Sequence, residues 1–510
     1  MACKILHIGV FFDGTGNNKE NDKSEEAMSN IAKLSDLYKN VKIWKDTEFE
    51  HKSVMIYKNG VGTTDGERHI VQDKYDKGGG GGGALRINNA LKEVKQFLED
   101  HPTGNKDTSY KKRFIDVFGF SRGAAEARDF INTFYTKAEP NERINVIFNF
   151  VGVYDTVGSF GIAGNNINLK PKDPTKQSEA DTKSGELNNG YYGIVEHEGP
   201  QKVTQNFTAI SEAERDRIVQ QYESQGWKVH TSEPVGSSFY QITCEKEEVL
   251  YEPYNFNLAG ESAKKIVHIV AHDEVRKNFP LSAINLGGAH EEMMYPGVHS
   301  DIGGGYLPSE TEPHSYDVGV YGSYFDAKMA ADTEQKKLPH YWEVKSYSTG
   351  SRENEQHKVV AHWDRKISNA LTTINLHRMH EIALENGVPF NPIPQDSVHQ
   401  IPKEMSEFDT HTKANRTDAM SFNNIETFKE TYRHHSAVDP AEMDTHYDGH
   451  TRFFADVILK DSPDGGDGND VRYVNAEDKV INPRKTKVNE PLFAKREIYP
   501  NNPSEAILPT

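Results

Sequence analysis

The run Arg113-Phe-Ile-Asp-Val-Phe-Gly119-Phe-Ser121-Arg-Gly123-Ala-Ala constrains this chain more than any other. A short apolar stretch reaches a serine with glycines at minus two and plus two, and Ala124, Ala127, Ile131 and Phe134 then recur at helical spacing. Strand, tight turn and helix in that order form a nucleophile elbow, which lifts a serine hydroxyl out of a sheet. The pattern points to acyl transfer to water through a serine ester. The competing reading is an ordinary glycine-bounded turn with an inert serine.

A serine hydroxyl needs a neighbouring base, and the base needs an orienting carboxylate. In serine hydrolases built on an α/β sheet these follow in the order Ser, Asp or Glu, His, each beyond the C-terminal end of a strand. Asp155 fits the acid, because it closes the apolar run Ile144 to Val153 in the turn Tyr154-Asp-Thr-Val-Gly158. Its alternative role is capping that turn. His299 fits the base, lying in the glycine-rich segment Tyr295-Pro-Gly-Val-His-Ser-Asp-Ile-Gly-Gly-Gly-Tyr306. With 22 histidines in the chain, His272 and His290 are rivals. An oxyanion hole needs two backbone N–H groups. One is expected from Arg122, and the other from the strand-end loop Asp13-Gly14-Thr15.

The surrounding sequence predicts an α/β fold with a mainly parallel sheet flanked by helices. Ile5 to Phe12 reads as a buried strand. Met28, Ile31, Leu34 and Leu37 keep helical spacing, as do Ile87, Leu91, Val94 and Leu98, and Val54 to Tyr57 is a short strand. Residues 1–162 and 263–390 make a discontinuous core. Residues 163–262 are a polar α+β insertion, a candidate lid or cap, with a capping box at Ser211 to Glu214 and paired strands at Trp227 to Thr231 and Phe239 to Cys244. Residues 391–510 are a C-terminal accessory region, a candidate membrane or carrier contact.

With 510 residues the chain suffices for about two to three domains or one elaborated enzyme unit. Its formal net charge of −18 disfavours nucleic acid as a partner. The two cysteines, Cys3 and Cys244, read as free thiols. The N-terminus lacks the apolar core of an export signal, and no apolar run reaches membrane-spanning length, so a cytoplasmic product is expected. Gly78 to Gly83 reads as a loop rather than a phosphate cradle, since no Gly-Lys-Ser/Thr follows. Gly465 to Asp470 matches most of one calcium-binding nonapeptide, but Arg472 stands where an apolar residue belongs and such repeats work in stacks, so neither metal nor cofactor is expected.

Phe12-Asp-Gly-Thr-Gly-Asn17, Asn59-Gly-Val-Gly-Thr63, Gly119-Phe-Ser-Arg-Gly123, Val151-Gly-Val-Tyr-Asp-Thr-Val157 and Pro296 to Tyr306 occur in this order. Together they resemble the lipase effectors of bacterial type VI secretion that carry the Gly-Phe-Ser-Arg-Gly elbow. The resemblance implies an α/β-hydrolase fold and phospholipase A activity on membrane glycerophospholipids. It also implies delivery to the periplasm or membrane of a rival bacterium, a spike carrier and a cognate immunity protein. By motif it assigns Ser121 as nucleophile, Asp155 as acid and His299 as base. Tyr432-Arg-His-His-Ser436 is similar to the tails of related effectors. A soluble carboxylesterase or thioesterase, or a binding module without activity, are the alternatives.

Overall fold

The computed structural model describes residues 3–63, 83–104, 109–160, 169–171, 201–209, 211–224, 228–231, 240–248, 251–276, 279–337, 343–349, 356–434, 473–474, 493–494 and 496–509. The glycine run is described only at Gly83, and the Gly465 to Asp470 segment lies outside these residues.

The apolar runs of the sequence become the strands of one seven-stranded sheet: β1 (Cys3–Phe12), β2 (Lys42–Lys45), β3 (Phe49–Lys58), β4 (Tyr110–Phe120), β5 (Val146–Tyr154), β6 (Lys265–Ala271) and β7 (Glu291–Tyr295). Their order is β7-β6-β5-β4-β1-β3-β2. All neighbours are parallel except β2, which closes one edge antiparallel to β3. A parallel sheet is covered on both faces, so its strands read as near-continuous apolar runs rather than alternating ones. Ile5 through Phe12 are accordingly buried apart from no more than traces of surface.

Side chains alternate between two cores. Val10, Phe12, Val117, Val151 and Val153 enter one cluster with α2 (Gly83–Asp100) and α3 (Arg122–Lys137). Phe11, Phe118, Phe120, Phe150 and Tyr154 enter the other with α1 (Asn30–Leu37) and the helix Ala370–Glu385. Phe11 and Phe118 stack at 4.9 Å across the sheet neighbours β1 and β4. The result is a three-layer helix–sheet–helix core.

Packing continues past residue 390. Met405, Phe408 and Ala419 belong to the second cluster, and Phe422, Phe428 and Tyr432 pack on it. The insertion folds as an antiparallel sheet of Gln201–Ala209, Lys228–Thr231 and Tyr240–Glu248 with the helix Glu212–Ser224, around its own small cluster of Ala209, Ile218, Ile242 and Cys244. Tyr254 and Leu258 already lie in the main core, so the main-core packing resumes before residue 263. Residues 310–367 hold an antiparallel sheet of Glu310–Tyr321, Glu343–Thr349 and Gln356–Ile367 with the helix Tyr324–Gln335, which polar composition concealed.

From β1 the chain first adds β3 on one side and later β4 on the other. The carboxyl ends of β1 and β4 therefore flank the point where strand order reverses, which is where open α/β sheets bind ligands.

Candidate active site

Ser121 follows β4 directly and has φ 58° and ψ −125°, a conformation costly for any residue with a Cβ. Its amide donates to Tyr154 O at 3.1 Å, and its carbonyl accepts from Val157 N at 3.2 Å. These bonds tie the turn to the end of β5 and hold the strain in place. The flanking glycines serve close approach rather than unusual backbone angles. A Cβ on Gly119 would lie 2.4 Å from Gly123 O. A Cβ on Gly123 would lie 2.3 Å from Phe12 O and 2.4 Å from Asp13 O. Backbone atoms cannot give way as a flexible side chain can, so the elbow helix packs on β1 only with glycine there.

Asp155 follows β5, also with positive φ (37°), and its amide donates to Ile269 O at 2.8 Å. His299 opens the five-residue helix His299–Gly303, where a glycine-rich loop was expected. The helix forms because Asp301 Oδ2 accepts from Val298 N at 3.0 Å, while Gly304 and Gly305, both with positive φ, end it at once. His299 Nδ1–H donates to Asp155 Oδ2 at 2.5 Å. Both residues are almost wholly buried, and Ser121 is 4% exposed. The imidazole lies between the rings of Phe120 (4.6 Å) and Phe279 (5.0 Å). No hydrogen bond joins Ser121 Oγ to His299 in this arrangement; such contacts commonly close only around substrate.

The rival histidines lie elsewhere. His272 pairs with the neighbouring Asp273 at 2.9 Å, and His290 Nδ1 accepts from Ile266 N at 3.1 Å. His268 is buried beside the acid's turn, where it accepts from Thr156 N at 3.1 Å and pairs with Glu292 at 2.9 Å.

Two amides of the expected oxyanion loop are engaged within the structure. Asp13 N donates to Lys58 O at 2.9 Å, and Gly14 N donates to Asp13 Oδ1 at 2.7 Å, so these amides are committed to holding the loop. Thr15 N makes no hydrogen bond among the described residues. The Arg122 guanidinium donates to Thr15 Oγ1 at 2.6 Å and fastens that loop to the elbow. Gly60 packs against Gly14 O so closely that a Cβ there would fall 1.7 Å away, which explains the glycine of Asn59-Gly-Val-Gly-Thr63.

Charged groups that no local motif revealed surround the histidine. Arg496 forks onto Asp155, Nη1 to Oδ1 at 2.7 Å and Nη2 to Oδ2 at 2.8 Å. Asp155 Oδ1 also accepts from Ala271 N at 2.9 Å. Burial opposes the Asp155 charge, yet Arg496 and His299 hold its carboxyl far below the usual range. Burial lowers His299, and the hydrogen bond to Asp155 works against that. Glu274 accepts from His299 N at 3.2 Å; buried though it is, Arg276 keeps it down at about 2. Burial raises Asp13 to about 6. Among the described residues no His/Cys/Asp/Glu group is placed to hold a metal, and no helix is long and apolar enough to cross a membrane.

Residues 7–137 and 131–321 match the family described as the catalytic domain of Tle1-like phospholipase effectors of type VI secretion. This chain belongs to that family. As a Tle1-like effector it is an antibacterial phospholipase at the level of the family. The fold agrees. A solved Tle1 effector bound to the VgrG spike of the type 6 secretion system is 20% identical, with a TM-score of 0.50 over 86% of this chain and 85% of that one. An uncharacterized protein from Pseudomonas aeruginosa is 18% identical, with a TM-score of 0.38 over 81% of this chain and 51% of that one. No curated protein sequence matches.

Proposed function

We propose that this effector is a phospholipase A that hydrolyses glycerophospholipid acyl esters through Ser121, His299 and Asp155. The observation that carries this reading is the strained Ser121 at the reversal point of the sheet, with the His299–Asp155 couple held beyond the carboxyl ends of β7 and β5. Strain of about 1–3 kcal/mol survives only where the surroundings enforce it, and it clusters at sites that use it.

Ser121 Oγ attacks the ester carbonyl carbon while its proton passes to His299 Nε2. Asp155 fixes the tautomer by accepting from Nδ1–H and stabilises the imidazolium. The amides of Arg122 and Thr15 receive the developing oxyanion. Collapse breaks the ester C–O bond, and the leaving alkoxide takes the proton from His299. Water, deprotonated by the same imidazole, then cleaves the acyl-enzyme to free fatty acid.

The catalytic unit comprises residues 1–162 and 263–390 together with the core residues Tyr254 and Leu258, with the rest of 163–262 as lid or cap and part of 391–510 contacting carrier or membrane. The solved Tle1 effector on its VgrG spike supports a spike carrier for this chain as well. Delivery to the target periplasm or membrane, and a cognate immunity protein, complete the reading.

Fatty-acid release from mixed phospholipid vesicles tests it. Ser121→Ala and His299→Ala should each reduce release by roughly 10⁴-fold or more with the fold intact. Ser121-dependent cleavage of short soluble esters without release from vesicles would favour an esterase. Full activity in Ser121→Ala would leave a binding module.

A further inference from the structure

We propose that Arg496, carried by a C-terminal strap, is a positioning residue for the reaction: it fixes the orientation of Asp155 and balances its charge. This rests on the reading of Ser121, His299 and Asp155 as the reacting set.

The strap is woven into the core. Ile498–Tyr499 pairs in parallel with Leu281–Ser282, through Leu281 N to Glu497 O at 2.8 Å and Ala283 N to Tyr499 O at 3.0 Å. The Asn501 side chain bonds both Leu258 N (2.9 Å) and Leu258 O (2.7 Å). Ile507 N donates at 2.7 Å to Asn132 Oδ1, on the helix that begins at the elbow. The strap thus runs from the acid to the nucleophile's helix.

Arg496 spends its whole fork there. Nη1 and Nη2 take both carboxylate oxygens of Asp155, and Nε donates to Phe279 O at 2.6 Å. A guanidinium fork fixes the plane of a carboxylate, which a point charge cannot do. Asp155 has no exposed surface, and a buried carboxylate without a partner is costly.

The groups facing the imidazole and its acid are Arg496 from the strap, Glu274 and Arg276 from the segment after β6, and His268 from β6 beside Thr156. Glu274 and Arg276 cancel each other through bonds of 2.9 Å. Arg496 is therefore the cation that offsets Asp155. Without it, an uncompensated carboxylate would face His299 and favour its protonated form.

The test is the pH profile of kcat and kcat/KM in the full chain for Arg496→Met and Arg496→Lys, with folding followed by circular dichroism. In Arg496→Met we expect kcat to fall roughly 10- to 100-fold, the range for partners that orient a reacting group. KM should change little, and the acid limb should move to higher pH. Arg496→Lys should keep the limb in place and recover part of kcat, because it restores the charge without the fork. A folded Met variant with an unmoved limb overturns the proposal. If the Met variant does not fold, a folded Lys variant with wild-type kcat overturns it. Ser121→Ala separates the two readings: were it fully active, the reacting set itself would be wrong. Were it dead while Arg496→Met behaved as wild type, only the role of Arg496 would fall.

Discussion

Gly123 shows how one missing methyl group decides a local structure. Its absent Cβ lets the first turn of α3 press against Phe12 O and Asp13 O. Gly123→Ala is expected to destabilise the chain by about 3 kcal/mol, at the upper end of overpacking costs, read as a lower urea midpoint. Ser121 carries the positive φ, and the flanking glycines supply room. His299 yields a second prediction. A general base works when neutral, and burial holds its pKa below the ordinary 6.5 despite the opposing pull of Asp155. The acid limb of kcat/KM should therefore lie below pH 6.5, and a stopped assay across pH 4 to 8 locates it.

The helix His299–Gly303 is too short to stand alone and is held by groups far along the chain. Asp301 serves twice: Oδ2 takes Val298 N and His434 N, and Oδ1 takes His434 Nδ1 at 2.6 Å. His434 also meets Glu310 at 3.1 Å and stacks on Tyr306 at 3.8 Å. Burial alone would lower His434, but Asp301 and Glu310 raise it to about 9. A folded-state pKa above the unfolded 6.5 gives stability that is complete below pH 6.5 and is lost as pH rises towards 9. Melting temperature should thus decline over that window, and His434→Gln should be less stable below pH 6.5 with a flatter profile. This buried role gives a reason for His434 in the Tyr432-Arg-His-His-Ser436 motif, of which His435 and Ser436 lie outside the described residues.

On the proposed reading, the charge of the whole molecule bears on how it meets a membrane. At −18 the chain is repelled by anionic bilayers over roughly 10 Å at 0.1 M salt. Hydrolysis of anionic vesicles is expected to be slower than that of zwitterionic ones at 0.01 M salt, and the gap should narrow by 0.15 M. Fatty-acid release against ionic strength measures this, and a gap that widens with salt would contradict it.

The core was legible because buried parallel strands announce themselves. Ile5 to Phe12, Phe114 to Phe118 and Ile144 to Val153 are near-continuous apolar runs broken only by His7, Asp116, Asn145 and Asn149, since both faces of the sheet are covered. Ser121, Asp155 and His299 were nameable as candidates for a related reason: each lies shortly after an apolar strand run, in a short segment with its own motif residues. The sheet of residues 310–367 escaped notice because its strands are polar, and the central one, Gln356–Ile367, buries His357 and Arg365 along with Val359, Ala361 and Ile367 at alternate positions, so its buried face is not marked by apolar residues alone. The occupied amides of Asp13 and Gly14, the hold of Glu274 on His299 N, and Asp301's second partner could not be read from the sequence at all. Arg496 is the extreme case, 341 positions from the carboxylate it grips. Nothing in Ala494-Lys-Arg-Glu497 distinguishes that arginine from a solvated one. Sequence by itself determined the strands, the elbow and the order of the candidate reacting groups, because local sterics and burial write those into neighbouring residues. Only the tertiary structure decided which charges face the imidazole, because electrostatic pairing depends on distance in space and leaves no periodic trace along the chain.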